Sequence, residues 1–116
     1  MRSDKDNLIV KLTLEFALNI IEYSEVLENS KKHTIARQLL KSGTSIGANV
    51  REAQNAESKI DFIHKMKIAA KEADETDYWL SLCEMANHYP KDEQLKEKLQ
   101  SIIKILSKII SSSKSK

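Results

Sequence analysis

The sequence predicts an all-α protein, an up-down-up-down antiparallel four-helix bundle, on three observations. Its 116 residues include only two Gly and one Pro, so little interrupts a helix. Apolar residues recur at steps of three and four in four separate windows, which is the period of a helix face and not of a strand. Short polar links join the windows, and short links favour antiparallel neighbours. Aromatics make up 5% of the chain, so Leu, Ile, Val and Ala must build the core. A chain of this length forms one domain, residues 1–116, without internal repeats.

The first window runs from about Asn7, the candidate cap, to Asn29. Ile9, Leu12, Phe16, Ile20, Tyr23 and Leu27 form one stripe, and Val10, Leu14, Leu18 and Ile21 widen it. A face that broad suits a helix touching two neighbours. The second helix starts between Ser30 and Thr34 and reaches about Ala56. Leu39, Gly43, Ile46, Val50 and Ala53 step by 4, 3, 4, 3, an apolar seam. Gln38, Ser42, Ser45, Asn49 and Glu52 take the same steps beside it, and all are polar. Solvated helix faces are usually long and charged. This one is mostly small and uncharged, which predicts that something packs on it. Gly43 and Gly47 each cost about 1 kcal/mol against Ala inside a helix, so they predict close approach of another helix.

Ser58-Lys59-Ile60-Asp61 reads as a capping box opening the third helix, which continues to about His88. Its seam is Phe62, Met66, Ala69, Ala73, Thr76, Leu80 and Cys83. A second stripe runs beside it through Ile68, Glu72, Glu75, Trp79, Leu82 and Ala86. Tyr89-Pro90-Lys91 breaks the chain, with Pro90 at or before the first turn of the fourth helix. Asp92 and Glu93 favour that positive N-terminus. The fourth helix carries Leu95, Leu99, Ile102, Leu106 and Ile109, with Ile103 and Ile110 alongside. The tail SSSKSK has nothing to bury and is expected to be disordered from about residue 112.

A net charge of +2 is too small by itself to imply a polyanionic partner. The charges alternate along the chain, however. Residues 1–28 carry −3, residues 29–51 carry +5, residues 52–88 carry −4 and residues 89–116 carry +4. Either neighbouring helices pack through these charges, or the two basic segments make a phosphate-facing surface.

Constellations for catalysis are missing. Glu72, Asp74, Glu75 and Asp77 cluster, yet di-iron bundles need Glu-x-x-His, and His33, His64 and His88 complete none. Cys83 lies mid-seam, where an apolar environment makes a thiol inert. Gly43 and Gly47 follow no strand, so they form no phosphate loop. Neither Arg37 nor Arg51 has the following His that small helical nucleases use. No metal, cofactor, catalytic group or small-molecule substrate is therefore expected. Apolar runs fall short of the roughly 18 residues of a membrane span, and the charged start MRSDKDN lacks a leader's apolar stretch. The expected compartment is the cytoplasm.

From Gln38 to Leu80 the sequence resembles the bacterial four helix bundle protein family, also called 23S rRNA-intervening-sequence proteins or S23 ribosomal proteins. The resemblance rests on Gln38-Leu39, Ser42, Ser45-Ile46, Asn49-Val50, Glu52-Ala53, Ser58, Asp61-Phe62, Ile68-Ala69, Glu72-Ala73, Glu75-Thr76 and Tyr78-Trp79-Leu80. Many members have Glu-Gly where this chain has Glu52-Ala53. The resemblance implies an antiparallel bundle that assembles as a homopentamer, without an established enzymatic activity.

The resulting expectation is a non-enzymatic homo-oligomer that binds RNA or a ribonucleoprotein. Lys31, Lys32, Arg37, Lys41 and Arg51 are the candidate phosphate contacts, because no acidic residue interrupts their segment, and Lys104, Lys108 and the tail lysines are expected to extend that surface. Gln38, Ser42, Ser45, Asn49, Glu52, Glu72, Glu75 and Trp79 are the candidate packing and oligomer interface. Glu72 and Glu75 are either simply exposed or meet Gln38, Asn49 or Arg51, in the same subunit or a neighbour. The alternative is a protein scaffold or adaptor in which the charge alternation serves only assembly.

Overall fold

The computed structural model describes residues 4–114, with side chains from residue 8 onward. Four helices make up the described residues: α1 (Asp4–Asn29), α2 (His33–Ala53), α3 (Lys59–Met85) and α4 (Leu95–Lys114). Helix α1 packs on α2 and α4, α3 packs on the same two, and the diagonal pairs stay apart. Successive helices run antiparallel. Ser42 is level with Thr76 and Glu52 with Lys65 across α2/α3, while Ser81 is level with Lys96 across α3/α4. The bundle measures 48 × 20 × 19 Å.

Local chemistry sets each boundary. Helix α1 ends with Lys31 in the left-handed region at φ 64°, and two hydrogen bonds close the end, Lys32 N–H to Leu27 O and Lys31 N–H to Glu28 O. That is a Schellman arrangement with lysine where glycine is usual. The sequence shows no Gly in this link, which is why the boundary is hard to read there. Ser58 caps α3 as its sequence implies, accepting from Asp61 N–H at 3.0 Å. The reciprocal bond shifts by one residue, because the Asp61 carboxylate accepts from Glu57 N–H.

Helix α3 stops at Met85, short of His88, because Ala86 turns extended and Lys91 reaches back over the helix end. The Lys91 ammonium donates to the carbonyls of Cys83, Glu84 and Ala86 at 2.8, 2.9 and 2.6 Å. A cation on the last carbonyls satisfies acceptors the helix itself cannot. Asp92 then accepts from the N–H groups of Gln94 and Leu95, so it caps α4. Pro90 sits in the loop well before that helix, and Tyr23 donates to its carbonyl at 2.7 Å. At the far end α4 continues to Lys114, with the Ser113 hydroxyl bonded to Ile109 O. The half-buried Ile110 gives that last turn something to pack on. Ser115 and Lys116 lie outside the described residues, as does the side chain of Asn7, whose backbone falls inside α1.

The core is the set of seams the periodicity marks. Ile9, Phe16, Ile20 and Leu27 of α1 meet Leu39, Ile46 and Val50 of α2, Met66 and Leu80 of α3, and Leu99, Ile102 and Leu106 of α4. The outer half of the α1 stripe behaves differently. Leu14 and Leu18 are 52% and 56% exposed, and Ile21 is exposed as well. No second neighbour from this chain covers them.

The two glycines of α2 explain its distance from α1. A Cβ on Gly43 would lie 2.8 Å from Ile20 Cγ2, and one on Gly47 would lie 3.2 Å from the Thr13 carbonyl oxygen. Ile20 is buried and β-branched, so it has little room to yield. Gly43→Ala should therefore destabilise by about 1–2 kcal/mol by urea melting, overpacking outweighing the gain of about 1 kcal/mol in helix propensity. In an Ile20→Ala background the same substitution should become stabilising.

Candidate functional site

Helix α2 is the element around which the candidate residues gather, and its 3.6-residue period sorts them into separate faces. Gly43 and Gly47 face α1. Ser42 and Glu52 face α3, with Ser45 and Asn49 between them on the same stripe. Arg37, Lys41, Thr44, Ala48 and Arg51 form a third stripe on the outside, again stepping by 4, 3, 4, 3.

The α3-facing stripe is a packing surface. Ser42 and Thr76 are fully buried, and their hydroxyls share a hydrogen bond of 2.9 Å. Thr76 also bonds the Glu72 carbonyl at 2.7 Å. A hydroxyl has one proton, so when Thr76 gives it to the carbonyl, Ser42 is the donor between the two. Glu52 accepts from Lys65 at 2.9 Å, and this carboxylate raises the Lys65 pKa. Ser45 bonds Lys41 O and the Asn49 amide bonds Ser45 O, so both serve their own helix. Gln38 is exposed.

Glu72, Glu75 and Trp79 do not join that stripe through hydrogen bonds within the chain. The Trp79 indole N–H donates to its own-helix neighbour Glu75 at 3.1 Å, and Tyr78 lies edge-on to the indole. Around them α3 exposes apolar surface, with Tyr78 58% and Met85 80% accessible and Leu82 beside them.

The five basic candidates fall into two groups. Arg37, Lys41 and Arg51 share the outer face of α2 and span about 21 Å from first to last. Lys31 and Lys32 belong to the α1–α2 turn. Lys31 is exposed, whereas the Lys32 ammonium lies 4.9 Å from the centre of the Tyr89 ring, a cation–π contact that ties the turn to the α3–α4 loop. Arg51 also lines a mostly apolar groove of about 370 Å³ between α1 and α2, with Val10, Leu14, Ala17 and Ala48. Lys104 and Lys108 do not extend this surface as the sequence suggests. They stand on α4, diagonally across the bundle from α2.

The chain as a whole has known relatives. The sequence model of the 23S rRNA-intervening sequence proteins matches residues 5–110. The chain belongs to that family. Among solved structures it is similar to a protein of unknown function from the S23 ribosomal protein family of Bacteroides thetaiotaomicron VPI-5482. The two share 43% identity and superpose with a TM-score of 0.87, over 92% of this chain and 98% of the other. None of the curated proteins matches the chain.

The described residues of this family member contain no group of three or more His, Cys, Asp or Glu placed to hold a metal ion, and none of its helices is long and apolar enough to cross a membrane. Its lone thiol, Cys83, is buried. Burial pushes its pKa up, while the Tyr23 hydroxyl and Lys91 pull the other way without reversing the shift. Burial likewise holds the Tyr23 phenol well above its ordinary range. Native Cys83 should resist iodoacetamide at pH 8 and react within minutes in 6 M guanidinium, as followed by intact mass. For the buried hydroxyl pair, Thr76→Val should cost about 1–3 kcal/mol in urea, because it strands the Ser42 hydroxyl. The Ser42→Ala/Thr76→Val double variant should lose less than the sum of the single losses.

Proposed function

We propose that the protein is a non-catalytic, self-assembling bundle that binds structured RNA through the phosphate backbone. Support for self-assembly comes from two exposed apolar surfaces on opposite corners of the bundle. One comprises Leu14, Leu18 and Ile21 of α1 beside Leu40 and Arg51 of α2. The other comprises Tyr78, Leu82 and Met85 of α3 beside Glu72 and Glu75. Exposed apolar patches of this kind mark interaction surfaces. Arg51 borders the first and Glu72 and Glu75 border the second, so the two faces suit a head-to-tail contact between copies. Contacts of that type close into rings when the rotation from copy to copy closes. Five copies, as the family resemblance implies, give such a ring a mass of about 66 kDa. Glu75, which has no partner on α2 of its own chain, then meets Arg51 of the next copy.

The RNA reading is carried by exposed Lys31, Arg37 and Lys41, in a stretch that no acidic residue interrupts. Membership of the 23S rRNA-intervening sequence protein family supports the same direction. Few aromatics are available to stack on bases, so recognition rests on phosphates and shape and is salt-sensitive. The protein acts in the cytoplasm. A second reading, a protein scaffold, is favoured by the position of Arg51 in the apolar groove, where its charge serves assembly.

Lys31 allows a test in which lost binding cannot be blamed on lost folding. Lys31→Gly relieves a left-handed lysine and should raise stability by up to about 1 kcal/mol. The same variant, combined with Arg37→Glu and Lys41→Glu, should lose retention of a structured RNA hairpin at low salt. Full retention by this stable variant would favour the scaffold. For assembly, Arg51→Glu and Glu75→Arg should each dissociate the oligomer in size-exclusion chromatography, and the pair together should restore it.

A further inference from the structure

Outside the α2 segment, two stretches of ten or more residues contain no acidic residue. One is residues 62–71, with Lys65, Lys67 and Lys71, and the other is residues 98–116, with Lys98, Lys104, Lys108, Lys114 and Lys116. They are far apart in sequence. The antiparallel packing of α3 on α4 lays the first half of α3 along the second half of α4. Two of these lysines have protein partners, Lys65 with Glu52 and Lys98 with Asn19.

Lys67, Lys71, Lys104, Lys108 and Lys114 are all exposed, and none pairs with a carboxylate among the described residues. Lys67 and Lys114 are neighbours across the helix pair, and this like-charge neighbour depresses the Lys67 pKa. The nearby acids are otherwise placed. Asp61 is held in the α3 cap, Asp77 meets Lys96 and Gln100 higher up, Glu75 accepts from the Trp79 indole, and exposed Asp74, three residues after Lys71, marks the upper edge of the patch. Glu72 stands on the α2 side of α3, where its carbonyl receives the Thr76 hydroxyl. Along α4 the cations run from residue 104 to residue 114, about 15 Å.

Ammonium groups crowded together without counter-charges hold condensed or bound anions, and a phosphodiester chain presents anions at a regular spacing over that length. We infer that the α3/α4 face formed by Lys67, Lys71, Lys104, Lys108 and Lys114 is a second phosphate-binding surface, separate from the α2 stripe, and that its ligand is an RNA backbone. This inference extends the RNA-binding reading to a part of the chain that α2 cannot reach. The α2 run lies on a different corner of the bundle, so one copy of the chain offers phosphate contacts on two sides. A long or folded RNA is therefore a better ligand than a short single strand.

The test measures fluorescence anisotropy of a labelled RNA hairpin against salt, with three full-length proteins: wild type, Lys67→Glu/Lys71→Glu/Lys108→Glu, and Arg37→Glu/Lys41→Glu. Circular dichroism checks that each remains helical, and a Lys→Gln version of the triple variant replaces the first if it does not. The triple variant should bind at least tenfold more weakly, and its plot of log affinity against log salt should be shallower by about three. Wild-type affinity and slope in the triple variant, with loss in the α2 variant, overturn this surface and leave the α2 reading standing. Loss in the triple variant alone supports this surface and overturns the α2 assignment. Absence of hairpin binding by the wild type at 50 mM salt overturns both.

Discussion

At one level of the bundle two helices close on α2 from different sides. Ile20 of α1 occupies the space where Gly43 lacks a side chain, and one residue earlier the Ser42 hydroxyl is hydrogen-bonded to Thr76 of α3. Small residues on both faces make this closeness possible, and nothing larger fits. The apolar contact supplies burial, while the hydroxyl pair supplies register, since sliding α3 by one turn would take the buried Ser42 hydroxyl away from Thr76. Helix α4 has no role in that junction. It meets α1 and α3 and leaves α2 alone.

On α2 the inner seam takes Leu39, Ile46 and Val50, the flanks toward α1 and α3 take small residues, and the outer face carries Arg37, Lys41 and Arg51. Packing and charge are thus divided by helical phase on a single element. The same division appears on α3, whose seam is buried while Tyr78, Leu82 and Met85 remain outside. The exposed apolar residues of α1 and α3 are left open to solvent in the isolated chain. Their presence on two corners is the physical basis for reading the chain as one part of an assembly.

Much of the fold was legible from the sequence because the seams follow the helix period with few exceptions. Every residue of the Leu39 to Ala53 seam is buried, and Ser58 caps where its spacing says it should. Helix ends were less legible. Lys31 takes a conformation that sequence assigns to glycine, and Lys91 caps α3 from across a loop, so neither leaves a local pattern. The candidate site was legible only in part. Periodicity placed Ser42 beside the seam but could not say that its partner is Thr76, because helix pairing is a long-range fact. The widened stripe of α1 implies two neighbours, and α1 does pack on α2 and α4, but the outer residues of that stripe, Leu14, Leu18 and Ile21, remain exposed. Lys104 and Lys108 were grouped with α2 by charge alone, whereas the topology groups them with Lys67 and Lys71.

The central claim is that the uncovered faces exist to be covered by further copies, and that the assembled surface holds RNA. Light scattering of the freshly purified protein at low salt, recorded with the ratio of absorbance at 260 and 280 nm, tests it most directly. An assembled, RNA-bound bundle gives a species of about 66 kDa or above, with excess absorbance at 260 nm that ribonuclease removes. A clean monomer of 13.2 kDa with a protein-only spectrum would contradict it.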